Sequence, residues 1–386
     1  MSDSDQARPT WDPGKVAVRG QQRSAYDSMR ETCPVAFSET MQWSLFRHED
    51  LCRVLGEPGT FSNVVSPRRT VPNGMDPPEH TAFRRIIDGY FTPARMAAFE
   101  PACRGICGPL IDGARQAGAV EVMEAVALPF AVQAQCAFLR WPENLHAPLI
   151  DWTRRNHAAT HAQDRQALSA IAAEFEALIE ERIAAARASG PDAPGDVVAE
   201  LSREQVDGRP LGSEEIASIL RNWTVGEIGS IAASAGILAD HLARDGALQD
   251  RLRAEPALIE PACDEILRVD GPLVTNRRVV TRGVELRGRR FEAGDRITIN
   301  WIAANRDPRA FADPEAVRLD RDQGANLLYG AGIHVCPGAP LARLELRVFL
   351  EELLARIGRL VPDPGGGSLR ALYPASGYEK LFLRFA

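Results

Sequence analysis

The chain has 386 residues, 45% of them hydrophobic and 25% charged, and a formal charge of −7. That composition is globular and supplies a sizeable core. The negative balance argues against a general nucleic-acid or anionic-membrane binder, no apolar run approaches the ~18 residues that would cross a bilayer, and the start lacks a signal pattern, so a cytoplasmic protein is expected.

In chain order, Met1 to Lys15 is polar and reads as a frayed start within a flexible segment, 1–20. Met41–Leu45 is a weak strand candidate. Asn63–Met75 is a loop carrying Arg68, Arg69 and Asn73. Pro77 and Pro78 then lead into a helix, a position where proline is tolerated. His80 and Arg84 follow, four apart and on one face. Such a pair suits an anionic ligand, although a free-standing one is usually solvated surface. Apolar residues at 3–4 spacing predict helices over Met96–Ala117, Asp164–Arg187, Glu214–Arg244, Pro256–Val269 and Pro340–Ile357. The seven cysteines include no Cys-x-x-Cys pair. Cys103 and Cys107 read as buried small apolar residues rather than a metal pair. Strands are expected at Val284–Leu286 and Arg296–Ile302, and more weakly at Leu381–Phe385. The small-residue stretches Ala188–Gly195 and Pro362–Ser368 read as a surface loop and a turn. Neither divides the chain, so a single, mainly helical α+β domain over 1–386 is expected.

Glu214–Arg244 would run about 46 Å as one helix. Ser213 is the expected N-cap and Gly246 the expected stop. Its middle is apolar on most faces, as a buried helix requires. Gly226, Gly229 and Gly236 each cost about 1 kcal/mol against alanine. A close-packed flat ligand or a local helix distortion is expected to compensate.

The segment Tyr329-Gly-Ala-Gly-Ile-His-Val-Cys-Pro-Gly338 is the most informative. Gly330, Gly332 and Gly338 permit tight turns and close backbone approach. Cys336 stands just before a helix N-terminus, where free N–H groups and the dipole favour a thiolate. A thiolate is a good soft ligand for iron. Two other readings stand beside this one. Gly330-x-Gly332 could open a dinucleotide turn, but the third glycine, a strong preceding strand and an acidic partner are missing. Cys336 could also be an ordinary buried cysteine.

The loop resembles the haem-binding signature of cytochromes P450, Phe-x-x-Gly-x-x-x-Cys-x-Gly. Gly332, Cys336 and Gly338 match its spacing, Tyr329 stands at the Phe position, and Gly330 and His334 match the bacterial form. The resemblance implies the P450 fold, haem b, and Cys336 as the proximal thiolate that favours O–O cleavage. It covers roughly Phe61 to the C-terminus. Glu265 and Arg268 match the family's Glu-x-x-Arg helix, and Arg321 would complete a buried network with them. Val317 and Arg318 depart from the usual Phe-Asp. His80, Arg84, Arg278 and His334 would be donors to the haem propionates.

By the same resemblance, Glu214–Arg244 is the distal helix, where the family carries Ala/Gly-Gly-x-Asp/Glu-Thr. Here Ile228 stands at the acid position and Gly229 at the Thr position. Glu227 is one residue early and Ser230 one late. Three readings follow: a displaced Glu227–Ser230 relay if the helix bulges, a hydroxyl from substrate or water, or peroxide or radical chemistry. Glu227 as a buried acid paired elsewhere is the bland alternative.

The resemblance implies a monooxygenase acting on a small organic substrate of secondary-metabolite or xenobiotic kind with O2. Electrons would come from a ferredoxin and its reductase, docked near Arg85, Arg343 or Arg347 unless these form ordinary surface salt bridges. Peroxide-driven oxidation, desaturation or oxidative coupling is the alternative, and a haem sensor or carrier a remote one. Pocket walls are expected in Asn63–Met75, Trp223–Ser230 and Pro272–Asn276, with Arg68, Arg69, Asn73 and Asn276 favouring a polar substrate. A monomer without nucleic-acid or membrane partners is the default.

Overall fold

The computed structural model describes residues 11–13, 22–162, 164–188 and 195–385. Most of the expected frayed start, and residues 189–194 of the expected surface loop, lie outside the described residues. The helices are α1 Gln22–Thr32, α2 His48–Gly56, α3 Glu79–Asp88, α4 Pro93–Ala117, α5 Leu128–Leu139, α6 His146–His161, α7 Arg165–Ala188, α8 Val197–Leu201, α9 Ser213–Arg244, α10 Gly246–Ala254, α11 Ile259–Val269, α12 Trp301–Asn305 and α13 Ala339–Arg356. No helix among the described residues is long and apolar enough to cross a membrane.

Local chemistry sets where these helices begin and end. α4 starts three residues before the predicted Met96 because the Thr92 hydroxyl accepts from the Arg95 N–H and Pro93 fits the first turn. α9 is capped at Gly212 rather than at the expected Ser213. Glu215 reaches back, and its carboxylate accepts the Gly212 N–H at 2.8 Å. At its far end Asp245 closes α9, and its side chain caps the Leu248 N–H of α10. Gly246 is therefore the first residue of the next helix, not a stop. The strand expected over Arg296–Ile302 ends at Asn300, whose side chain accepts the Ala303 N–H at 3.0 Å and turns the chain into α12. Val284–Leu286 forms as expected, paired with Arg289–Phe291.

The larger sheet orders its strands Val35–Ser38, Gln42–Leu45, Arg296–Asn300, Thr275–Val280 and Phe61–Ser62. Arg296–Asn300 runs parallel to Gln42–Leu45 and antiparallel to Thr275–Val280, placing Arg278 opposite Ile297. Trp43, Leu45, Phe61, Ile297, Ile299 and Leu327 form the core of this sheet side. The larger core is helical and draws on α3, α4, α5, α9, α11 and α13. Cys103 and Cys107 are fully buried within it, as expected of small apolar residues. The loop 329–338 lies where the two cores meet, with Gly330 near Trp301 of the sheet side and Gly338 near Phe91 of the helical side.

Candidate haem site

Gly330 and Gly332 have φ of +73° and +68°, the left-handed region that glycine enters without strain. A Cβ at Gly332 would stand 2.4 Å from the Leu55 carbonyl oxygen, so α2 and the loop touch backbone to backbone. The Cys336 N–H donates to the Tyr329 carbonyl at 2.8 Å and closes the loop. Gly338 then leads into α13. The Cys336 side chain keeps accessible surface. Burial pushes its thiol up, while the N–H groups of Gly338 and Ala339 and the charge of Arg84 draw it down.

A set of cationic and imidazole donors lies beside the thiol. His80 of α3 is buried, and neither of its ring nitrogens has a hydrogen-bond partner. His334 packs edge-on against it at 4.3 Å between ring centroids, and its Nε2 is buried without a partner. Burial drives the His80 imidazole below its ordinary value and that of His334 down to about 3, with Arg84 disfavouring charge on the first and His80 on the second. Arg278 is buried and donates to the Arg277 carbonyl at 2.8 Å, and burial lowers it to about 10. Arg84 donates to the Val335 carbonyl at 2.5 Å and to Asp88 at 2.6 Å. Buried donors without acceptors are costly unless a ligand meets them. Two carboxylates on a flat ligand held over Cys336 would satisfy this set, so these residues fit haem b.

Tyr329 is half-buried under the Arg343 guanidinium, 4.7 Å from its ring centroid. Arg343 also pairs with Asp264, and Arg347 pairs with Glu100 and Glu351. These two are the salt bridges of the simpler reading. Arg85 is exposed and forms no ion pair among the described residues.

α9 is α-helical throughout, so the bulge that would realign Glu227 and Ser230 is absent. The Ser230 hydroxyl donates back to the Gly226 carbonyl at 2.7 Å. Glu227 points elsewhere. With the Gln135 amide in its hydrogen-bonding orientation, its nitrogen donates to both Glu227 oxygens at 2.9 Å. Glu227 also meets Glu345 of α13. No donor reaches either buried oxygen of Glu345. Burial pushes the Glu227 carboxyl up to about 8, its contact with Glu345 opposing the rise, and burial with the charge of Glu227 beside it pushes Glu345 up as well.

The glycines of α9 serve different purposes. A Cβ at Gly226 would enter open space, and one at Gly229 would stand 3.6 Å from His157 Nε2. One at Gly236 would lie 2.6 Å from the Met123 Sδ, so that glycine is compensated by side-chain packing.

Sequence reasoning missed Gln135 and Glu345. Gln135 interrupts an apolar helix, and Glu345 falls on the apolar face shared by Leu341, Leu344 and Val348. Both were visible as polar residues at core positions.

The residues taken to favour a polar substrate have partners within the protein. Arg68 pairs with Glu176 of α7, and Arg69 with Glu79 and Glu215. Asn276 accepts the Trp301 indole N–H at 2.7 Å, whereas Asn73 is exposed and only its backbone carbonyl accepts, from the Asn63 side chain. The loop is tied to α9 through Val71, whose N–H donates to Ser218 and whose carbonyl accepts from Asn222.

The cysteine-loop side is braced by the expected triad. Arg268 donates to both oxygens of Glu265 at 2.8 and 2.9 Å, and Arg321 donates to Glu265 at 2.7 Å. The Arg318 backbone N–H also donates to Glu265, so the unusual side chain at that position does not disturb the network.

Comparison with known proteins agrees with this geometry. The cytochrome P450 family profile matches residues 238–363. The chain is 30% identical to the erythromycin C-12 hydroxylase of Saccharopolyspora erythraea, over 89% of each chain. It is 32% identical to the nocardicin C N-oxygenase of Nocardia uniformis, over 81% of each. The open structure of cytochrome P450 EryK from S. erythraea superimposes with a TM-score of 0.87 at 28% identity, covering 94% of this chain and 95% of that one. The named activities are those of oxygenases and do not favour the peroxide-driven or coupling alternatives. The chain belongs to the cytochrome P450 family and is a haem b-dependent monooxygenase that takes an organic substrate, O2 and electrons from redox partners.

Proposed function

We propose that Cys336 holds the haem iron and that His80, Arg84, Arg278 and His334 receive the propionates. Gly330 and Gly338 let the loop backbone lie close to the macrocycle, and Tyr329 braces it. The observation that carries this reading is the set of buried, partnerless nitrogens on His80 and His334 beside the cysteine loop. Bound haem supplies dioxygen activation and one-electron chemistry. The chain's own residues bind, orient and exclude water. The absence of a side chain at Gly226 leaves room against α9, and Ser218 and Asn222 hold the 63–75 loop over the same helix.

The substrate we assign is a small secondary metabolite. The erythromycin and nocardicin oxygenases among the relatives support that class. Electrons come from a ferredoxin and its reductase, and exposed Arg85 is the cation we assign to docking. The protein works as a monomer in the cytoplasm, as one catalytic domain over 1–386, without nucleic-acid or membrane partners. Glu227 acts with Glu345 as a proton-sharing pair rather than with Ser230.

The deciding experiment compares wild type with Cys336→Ser after haem loading, reduction and exposure to carbon monoxide. Wild type is expected to show the red-shifted Soret band of a thiolate-ligated haem, and Cys336→Ser to lose it. The same band in both proteins would reject Cys336 as the ligand. Titrating the ferric wild type with a metabolite panel would identify the substrate class by a blue shift of the Soret band.

A further inference from the structure

Three segments meet through one carboxylate beside α9. Glu176 of α7 pairs with Arg68 of the 63–75 loop and with Arg221 of α9, whose Nη1–H donates to it at 2.9 Å. Two guanidiniums therefore share one carboxylate, and the trio carries one positive charge in excess. The neighbouring cations are matched differently. Arg69 and Arg209 have Glu79 and Glu215 between them, one acid for each base.

Within the trio, Arg221 is the member set back from solvent. Its side chain is 16% exposed, against 51% for Arg68. It has used one of its five N–H groups, and its Nε and Nη2 have no partner among the described residues. A guanidinium drawn largely out of water with most of its donors unused is costly unless an anion meets it. A carboxylate suits it well, because two parallel N–H groups of the fork match two carboxylate oxygens, and a monoanion cancels the excess charge.

Position along α9 indicates what that carboxylate belongs to. Val225 lies one turn further on and about 40° round from Arg221, and it keeps accessible surface. Gly226 follows, exposed, with open space where a Cβ would stand. Along the helix axis Arg221 is about 7.5 Å from Gly226 and about 12 Å from Gly229. A molecule of moderate length lying on α9 thus has Arg221 at one end and the two glycines at the other.

We propose that the substrate is an organic acid and that Arg221 is the residue that selects it. Nε and Nη2 hold the carboxylate while the rest of the molecule runs along α9 to the haem. Glu176 restrains Arg221 in the empty site and competes with the substrate for it. This inference rests on the preceding reading, with the haem against α9, and narrows its substrate class.

The test uses the haem-loaded full chain and a probe that reports from the iron. The probe is a straight-chain fatty acid with an imidazole at its far end, long enough to span the roughly 12 Å from Arg221 to Gly229. Its methyl ester and free imidazole are the controls. Nitrogen binding to the ferric iron moves the Soret band to the red, and titration gives Kd. Wild type is expected to bind the acid about tenfold more tightly than the ester, as a charge-assisted pair allows. Arg221→Gln is expected to lose that preference and to bind free imidazole as wild type does. Glu176→Gln, which frees both guanidiniums, is expected to widen it. A wild type that binds acid and ester alike, an Arg221→Gln protein that keeps the preference, or a Glu176→Gln protein that narrows it would overturn the proposal. Equal weakening of all three probes in Arg221→Gln would assign Arg221 to the fold alone and overturn it too. The carbon monoxide complex of the reduced wild type separates the two readings. Without a thiolate-type band the Cys336 assignment fails and this inference with it, whereas an intact band with no preference for the acid sinks this inference alone.

Discussion

Glu227 and Glu345 illustrate how one buried contact decides what a residue can do. Read along the helix, Glu227 is an acid one place from where the family keeps its own. Its direction assigns it to a pair with Glu345, and burial disfavours the charged form of both carboxyl groups. Folding therefore raises their affinity for protons above that of the unfolded chain. The sign follows: the contribution to stability is complete below the ordinary glutamate range and is lost as pH rises through the raised values. Wild type should lose thermal stability between neutral and mildly alkaline pH more steeply than Glu227→Gln, in which an amide can donate to Glu345. Melting temperatures of the two proteins across that range check this. Parallel curves would mean that the pair does not hold its proton in the native state.

At the scale of elements, the cysteine loop depends on backbone approach rather than on side-chain contacts. Gly332 combines a φ of +68° with a Cβ position 2.4 Å from the Leu55 carbonyl oxygen. Gly332→Ala would meet both the left-handed strain and a clash with backbone that cannot rotate away. Overpacking of this kind costs about 1–3 kcal/mol, and the loop would have to move off α2. The expected outcome is a lowered melting temperature together with weaker haem retention, measured by haem transfer to an excess of apomyoglobin. Gly226→Ala is the contrasting case, because a Cβ there meets nothing within 4 Å and an alanine favours the helix. Spacing identified the loop because its function needs several glycines at set distances from one cysteine. It could not distinguish a glycine that admits a ligand from Gly236, which admits Met123, since that depends on what packs opposite. Helix ends were misread for a related reason. The cap of α9 is made by a glutamate three residues inside the helix, and the serine beside it is a decoy.

Across the whole molecule, the buried Glu265–Arg268 pair links α11 to the 312–323 segment that leads into the cysteine loop. Arg268 donates to the carbonyls of Asn305, Pro314 and Ala316 as well as to Glu265, and its guanidinium lies 4.8 Å from the centre of the Phe311 ring. This network was legible in the sequence through the family resemblance, since the spacing alone, three residues within a helix and a distant arginine, is common. What makes it structural is complete burial, which no spacing reports. Burial opposes charge on Glu265, yet the bonds from Arg268, Arg321 and the Arg318 N–H hold its carboxyl below the ordinary range. A depressed carboxyl contributes stability that is present above the unfolded value and lost as pH falls through the folded one. Arg268→Ala would leave that carboxylate buried with one guanidinium fewer, a loss of about 3–5 kcal/mol. Arg268→Lys would restore the charge but not the fork that spans Glu265 and three carbonyls, so it should rescue little. Urea unfolding of the three proteins at neutral pH gives the magnitude. Repeating it near pH 4 tests the mechanism: the gap between wild type and Arg268→Ala should narrow as Glu265 takes up a proton. A gap that stays constant would assign the effect of Arg268 to its carbonyl bonds alone.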